Sequence, residues 1–435
     1  MTYTNAIDFG TTNIKAAAFS DSLEQLCEIS RSTNIHTVPE GGEMDPRELH
    51  RILFSLLSEI IRSCGQDAEE LEGISLTGMA EAGCLVDPDG DPITPVLLWF
   101  DKRGADEAEE LRTGYESVLT GISGIRMSNV ATGYKLRWLK KNFPEYFAPG
   151  TRWFGVPEWA AWNLSGVHYT DQTLAIRTGV FALDTNDWSP RALSITGLSG
   201  ELFPQVIPAL RQNIRISPEA ARLLGIPQTV RITVAGHDDA AAAYGAGLAP
   251  GVWVDSTGTA EGLIALTTPL PDPHQTVRSH MSIAPWFIPG QWALIAGIGT
   301  SGSLIAELHR QTGLDYSEID ELAKENAPFP ENALTSELTP QRLAKVSFAS
   351  GLTDAQKASA VYDRILTNFK QRAAQIRNFA GRPEKLVITG GHARLPELSK
   401  RKSDILGGIP TESRPKPEAA AFGAALLSVR TGKIR

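Results

Sequence analysis

Ile7-Asp8-Phe9-Gly10-Thr11-Thr12-Asn13-Ile14-Lys15 is the stretch on which the fold turns. The first 35 residues alternate in polarity. Tyr3–Asp8 reads as a strand and Gly10–Asn13 as a tight turn. Ile14–Ser20 and Gln25–Ser32 read as two further strands of an antiparallel meander. A glycine in such a turn lets the backbone approach a phosphate closely. The hydroxyls of Thr11 and Thr12, with nearby amides, can donate to phosphate oxygens, and Lys15 adds charge. Asp8, at the strand end, can hold Mg2+ through waters. Taken alone, the stretch is as readily a plain hairpin turn.

About 250 residues later the pattern returns. Gly251–Ser256 reads as a strand, Thr257-Gly258-Thr259 as a turn, and Glu261–Leu266 as a strand, with Asp255 before the turn. Two similar halves facing one another would bring both turns to one cleft. Chance recurrence of a hairpin is the competing reading. Between them lies Ala235-Gly236-His237-Asp238-Asp239-Ala240, two acids before a run of small residues suited to a tightly packed helix. Carboxylates there can serve as helix caps. They can equally supply a general base for a hydroxyl attacking phosphorus.

Gly297-Ile298-Gly299-Thr300-Ser301-Gly302 follows an apolar strand and precedes a helix. A dinucleotide site would need a strand next, ending in an acid. Asp315–Asn326 reads as helix instead, so that reading is rejected, and an anion-binding helix start remains. Leu386–Thr389 is a strand running into Gly390-Gly391, where a flat base could lie against backbone or a tight turn could form. Helical spacing marks Pro46–Cys64, Asp354–Phe379 and Pro417–Val429, and also Asp106–Asn142 with breaks at Gly121 and Gly124.

A chain of 435 residues exceeds the size at which single cores stop growing, so two domains are expected, split at 1–240 and 241–435. A net charge of −9 repels a phosphate backbone, so no nucleic-acid partner is expected. Cys27, Cys64 and Cys84 are too few and scattered for a disulfide framework or a zinc site. Reduced thiols in a cytoplasmic protein follow. The polar start Met1–Ala6 lacks a signal-peptide pattern. No apolar run approaches the roughly 20 residues of a membrane span, so no membrane partner is expected. Phosphate-loop, protein-kinase, H-E-x-x-H and G-x-S-x-G motifs are absent.

The order of the motifs is more specific than any one of them. Asp8-Phe9-Gly10-Thr11-Thr12-Asn13, Leu97-Leu98-Trp99-Phe100-Asp101-Lys102-Arg103, Gly236-His237-Asp238-Asp239, Asp255-Ser256-Thr257-Gly258-Thr259 and Ile388-Thr389-Gly390-Gly391 occur in turn. So does the late Pro417-Glu418-Ala419-Ala420-Ala421-Phe422-Gly423-Ala424-Ala425-Leu426. Together, nearly end to end, they resemble the FGGY carbohydrate kinase family. The resemblance implies an α/β architecture of two ribonuclease-H-like domains of the actin/Hsp70 type, with ATP, Mg2+ and a sugar or polyol in the cleft between them. It makes Asp238 the general base. Asp8, Gly10, Thr11, Thr12 and Lys15 would face phosphates and metal, with Asp238 as a second metal contact. Gly258 and Thr259 would take the other phosphate role, and Gly390, Gly391 and Ala393 would lie by the adenosine; the anion-binding helix start adds Ser301 and Gly302 to the nucleotide contacts. The sugar side would be Met79, Ala80, Glu81, Trp99, Asp101, Arg103, Glu158 and Asp239. Carboxylates accept hydroxyl hydrogen bonds, and an indole packs on C–H faces.

Departures blur the substrate. Glu81 in Met79-Ala80-Glu81 looks like glycerol kinase, whereas Trp99–Arg103 looks like the xylulokinase and gluconokinase branches. A pentulose leads, followed by an erythritol- or glycerol-like polyol, an aldonate or a deoxy-ketose. Segments 330–352 and 392–395 depart from the family pattern. They motivate the competing class, a nucleotide-binding regulator without catalysis. A homodimer is a family-level expectation.

Overall fold

Gly10 occupies a place that excludes a side chain. A Cβ there would lie 2.8 Å from the Asn13 carbonyl oxygen, which accepts the Gly10 N–H at 3.1 Å. This turn joins β1 (Tyr3–Phe9) to β2 (Asn13–Ser20), and β3 (Gln25–Ser32) follows antiparallel. The computed structural model describes residues 1–258, 261–299, 301–338, 344–414 and 419–431.

The meander continues into a six-stranded sheet. Beside β1 run β4 (Leu71–Gly78), β6 (Arg231–His237) and the short β5 (Ile214–Arg215), in the order β5-β6-β4-β1-β2-β3. β1, β4 and β6 are parallel. β1 is buried at nearly every position rather than alternately, because helices cover both faces of the sheet. One of them, α1 (Pro46–Ser63), is capped by Asp45, which accepts from the Arg47 N–H at 2.8 Å. It buries Leu49, Leu53, Leu56, Leu57, Ile60 and Ile61 along one stripe. Each such side chain contributes roughly 1.5–3 kcal/mol.

The expected duplication is present. A second six-stranded sheet contains β7 (Val252–Thr257), β8 (Glu261–Thr267), β9 (Met281–Pro285), β10 (Trp292–Gly299), β11 (Lys385–Gly390) and β12 (Thr411–Arg414). Its order is β9-β10-β8-β7-β11-β12. β7–β8 is the antiparallel counterpart of β1–β2, and β11 and β12 continue parallel to β7. Each sheet thus carries the ribonuclease-H-like arrangement, so this is an α/β protein with two such domains of the actin/Hsp70 type.

The halves interlock. α5 (Asp238–Gly245) and α9 (Ala419–Thr431) cross so closely that a Cβ on Gly423 would sit 1.7 Å from the Ala241 carbonyl oxygen. α9 also reaches the first sheet, where the Ser75 hydroxyl donates to the Ala424 carbonyl at 2.7 Å. The helices α2 (Ala105–Ser123) and α3 (Thr132–Asn142) flank the segment Ile125–Ala131, which lines the cleft. The break between them falls at Gly124 (φ +63°), while Gly121 stays inside α2 because its backbone is ordinary helix. Thr339 and Pro340, in the divergent 330–352 segment, lie outside the described residues. Among the described residues no helix is long and apolar enough to cross a membrane.

Candidate active site

The parallel strands β1, β4 and β6 deliver their C-terminal ends to one edge, the usual place for a ligand in such sheets. Asp8 is the penultimate residue of β1, Met79-Ala80-Glu81 follows β4, and Asp238 follows β6 as the first residue of α5. Gly236 makes this turn with φ +87°, and a Cβ there would meet Thr173 Oγ1 at 2.2 Å. Behind the turn, Thr173 Oγ1 accepts the His237 N–H at 3.0 Å and donates to buried Asp171 at 2.7 Å. Asp171 and Thr173 therefore aim the turn that carries Asp238, and neither stands out in the sequence.

Thr11, Met79, Ala80, Glu81, Trp99, Asp238 and Asp239 line one cleft of about 720 Å3. Asp238 is partly open to it, with its side chain 31% exposed. Asp238 Oδ1 accepts the Asp239 N–H at 2.7 Å and lies 3.1 Å from His237 Nε2. Removal from water, and then Asp239, push the Asp238 carboxyl above its usual range. Burial, followed by the Asp238 charge, lifts Asp8 to about 8 against the pull of Lys15. A carboxyl raised by a neighbouring carboxylate, as Asp8 is by Asp238, is suited to sharing a cation with it. Asp8 Oδ1 is buried without a hydrogen-bond partner among the described residues, a ligand atom in waiting. Ligand atoms of His237, Asp238 and Asp239 lie within 4.8 Å of one another. The carboxylate oxygens of this set, those of Asp8, Asp238 and Asp239, are hard donors that fit Mg2+.

Glu81 is held in an uncommon left-handed conformation, φ +55°. Strain of that kind gathers where geometry matters for binding. Its carboxylate receives Arg177 Nε at 2.6 Å and pairs with Arg177 Nη2. Its carbonyl accepts from Lys135 Nζ at 2.8 Å, and the same ammonium donates to the carbonyls of Leu98 at 2.9 Å and Trp99 at 3.2 Å. Lys135 is fully buried, and burial lowers it to about 8. One side chain thus clamps the loop at Glu81 to the loop at Leu98 and Trp99, on one wall of the cleft. Its signal was a lysine on the buried stripe of α3, beside Thr132, Leu136 and Leu139. Lys135→Met is expected to raise the acceptor KM about tenfold with a smaller change in kcat, because the carbonyls lose their donor. Steady-state kinetics on folded protein checks this, and an unchanged KM would remove the clamp from the account.

Three expected sugar contacts are not brought to the cleft. Asp101 is fully buried and spent on its neighbour. Its Oδ1 accepts Arg103 N–H and Nε, both at 2.9 Å, and its Oδ2 accepts Nη2 at 2.6 Å. Arg103 also pairs with Glu43 at 2.7 Å. Glu158 lies in the first turn of α4 (Val156–Ser165 by chain order), where it accepts from Thr170 Oγ1 at 2.7 Å. Burial raises it to about 7. Trp99 does face the cleft, and its Nε1 donates to Thr11 Oγ1 at 3.1 Å. Arg126, Arg177, His280 and Arg372 line the same space and were missed, since nothing in their local sequence marks them.

A second cavity of about 850 Å3 is lined by Thr257, Gly258, Gly302, Gly391 and His392, with Tyr316. Gly390, at the end of β11, has φ +76°, and a Cβ there would strike the Thr257 carbonyl oxygen at 2.0 Å. Ser301 starts α6 (Ser301–Thr312), and Ala393 lies in the short turn Gly391–Arg394 behind the wall. Gly10 shapes the first hairpin, Thr12 is exposed beside it, and Lys15 stands opposite Asp8 in the β1–β2 register. Thr259 lies outside the described residues. β10 and α6 border one space each, Gly297 of the strand lining the cleft and Gly302 of the helix lining the second cavity.

Two duplicated domains, an acid pair at one strand edge and a neighbouring cavity walled by glycine turns define a phosphotransferase of the actin/Hsp70 type. The chain belongs to the FGGY family of carbohydrate kinases, whose N-terminal domain matches residues 3–245. It is 27% identical to a glycerol kinase of Solidesulfovibrio magneticus, over 98% of this chain and 89% of that one. It is 30% identical to an L-fuculokinase of Escherichia coli, over 59% of this chain and 55% of that one. Its fold superimposes on a xylulose kinase from Rhodospirillum rubrum with a TM-score of 0.86 at 22% identity, covering 99% and 90% of the two chains. The protein is an ATP-dependent sugar or polyol kinase, a phosphotransferase with an alcohol acceptor.

Proposed function

We propose that the acceptor is a pentulose and that Asp238 is the general base, in an enzyme whose residues 1–240 serve the sugar and 241–435 the nucleotide. The observation that carries this is Asp238 in one cleft with Glu81, Asp239, Trp99 and Gly297 of β10, while Gly302 of the helix that follows β10 lines the second cavity. Glu81 and Asp239 accept hydrogen bonds from sugar hydroxyls, and Trp99 packs on the carbon face. Asp238 takes the proton of the reacting hydroxyl as its oxygen attacks the γ-phosphorus of ATP, and ADP departs. Asp8 and Asp238 would hold Mg2+, which when bound neutralises developing phosphate charge. The likeness of Trp99–Arg103 to the xylulokinase branch supports a ketose. Free thiols at Cys27, Cys64 and Cys84 support a reducing, cytoplasmic setting.

A second reading, an aldonate, is favoured by Arg126. Its exposed side chain lines the cleft without a hydrogen bond or ion pair among the described residues. The deciding experiment is ADP release across pentuloses, hexuloses, polyols and aldonates. A pentulose is expected to give the highest kcat/KM. If an aldonate leads, and Arg126→Gln raises its KM at least tenfold, the second reading replaces the first.

A further inference from the structure

A second buried cluster of charge lies away from the sugar cleft. Lys402, on α8 (Pro396–Ile405 by chain order), is completely buried. Its Nζ donates to Asp255 Oδ2 at 2.6 Å and to Glu261 Oε1 at 2.8 Å, and lies 3.1 Å from His392 Nδ1. An ammonium has three donors and no acceptor, so it is saturated here. Its partners come from the end of β7, the start of β8 and the turn after β11. The Phe369 ring lies 5.3 Å from it.

The protonation states follow from the arrangement. Burial, then the neighbouring Glu261, holds the Asp255 carboxyl well above its usual range. Burial acts on Glu261 in the same sense, but Lys402 and His392 hold it below. Burial and the Lys402 charge take His392 down to about 3, so its ring is neutral. Because the ammonium can only donate, Nδ1 accepts and the ring proton sits on Nε2. Nε2 is buried, with no partner among the described residues. An unmet buried donor of this kind calls for an acceptor.

The cluster adjoins the nucleotide cavity from two sides. Thr257 and Gly258, at the end of β7, line it, as do Gly391 and His392 after β11. The His392 N–H donates to Thr257 Oγ1 at 3.0 Å, so the two turns are also tied directly.

We propose that His392 is a nucleotide-binding residue whose Nε2–H is donated to an acceptor atom of the bound nucleotide, and that Lys402 is the residue that positions it, fixing both the tautomer and the two cavity turns. This rests on reading the second cavity as the ATP site.

The test is ADP binding by calorimetry, with folding checked by circular dichroism. Gln keeps an N–H close to the Nε2 position, so His392→Gln is expected to bind within about threefold of the parent. Asn is too short, so His392→Asn is expected to bind about tenfold more weakly, the worth of one good hydrogen bond. Lys402→Met is expected to lose at least as much. Where it fails to fold, because two buried carboxyls lose their cation, His392→Asn decides. Acceptor KM should stay within twofold in the histidine variants. Ala306→Trp, on the exposed wall of the same cavity, serves as the block. If it binds ADP like the parent, the cavity is not the nucleotide site and the underlying reading falls. If it loses ADP while His392→Asn binds like the parent, the inference about His392 is overturned and the site stands. Equal losses in the Asn and Gln variants would also overturn it, since they would indicate packing rather than donation.

Discussion

Asp238→Asn is expected to lower kcat about a thousandfold while ADP binding stays within about twofold. Asparagine keeps the shape and can still accept the Asp239 N–H, so α5 starts as before. What it cannot do is hold a proton at the pH of the reaction. General-base assistance contributes about 10²–10⁴-fold, which sets the size of the loss. Binding is spared because the cavity with Gly258, Gly302 and Gly391 does not include Asp238. Single-turnover ADP release, beside calorimetry with ADP, separates the two quantities. A variant that turns over within tenfold of the parent would remove Asp238 from the base role.

The second large effect is expected at Gly423. Adding one methyl as Gly423→Ala puts a carbon 1.7 Å from the Ala241 oxygen and 2.5 Å from its carbonyl carbon. Backbone atoms cannot give way as a flexible side chain can, so α5 and α9 must separate. Overpacking of this kind costs about 3 kcal/mol or more. Because α5 begins with Asp238, kcat should fall as well. Gly114→Ala is the matching control. It lies inside α2 with nothing within 4 Å of the added carbon, and it should gain up to about 1 kcal/mol. Thermal unfolding reads both, and a melting temperature unchanged in Gly423→Ala would refute the tight crossing.

Much of this was legible in the sequence because hairpins and small-residue helices write themselves locally. Gly10 and Gly236 each mark a turn whose geometry admits little else, and Asp238 follows by position. Met79, Glu81 and Trp99, expected from the family resemblance alone, do line the cleft, each just beyond the end of a strand. Asp101, Arg103 and Glu158 failed because the residue types that bind a polyol also satisfy one another. An acid and an arginine two positions apart in a turn close into an internal pair before any ligand arrives. Lys402 was illegible, and Lys135 left only its place on a buried stripe, for a different reason. Each gains its meaning from carbonyls or carboxylates that only folding assembles, and Lys402 meets Asp255 across 147 positions and Glu261 across 141.

The hydrogen bond from Ser75 to Ala424 spans 349 positions of chain. A growing polypeptide therefore cannot finish its first sheet when that sheet has been made. The face beneath α9 stays uncovered until residues near 424 have left the ribosome. At about 5–20 residues per second, the stretch from His237, the end of β6, to Ala424 takes on the order of 10–40 seconds. During it, apolar strand surface is open to chaperones and to other nascent copies. The same crossing that braces α5 in the finished enzyme makes its birth slow, and it places the hazard of misassembly in the first half of the chain rather than the second.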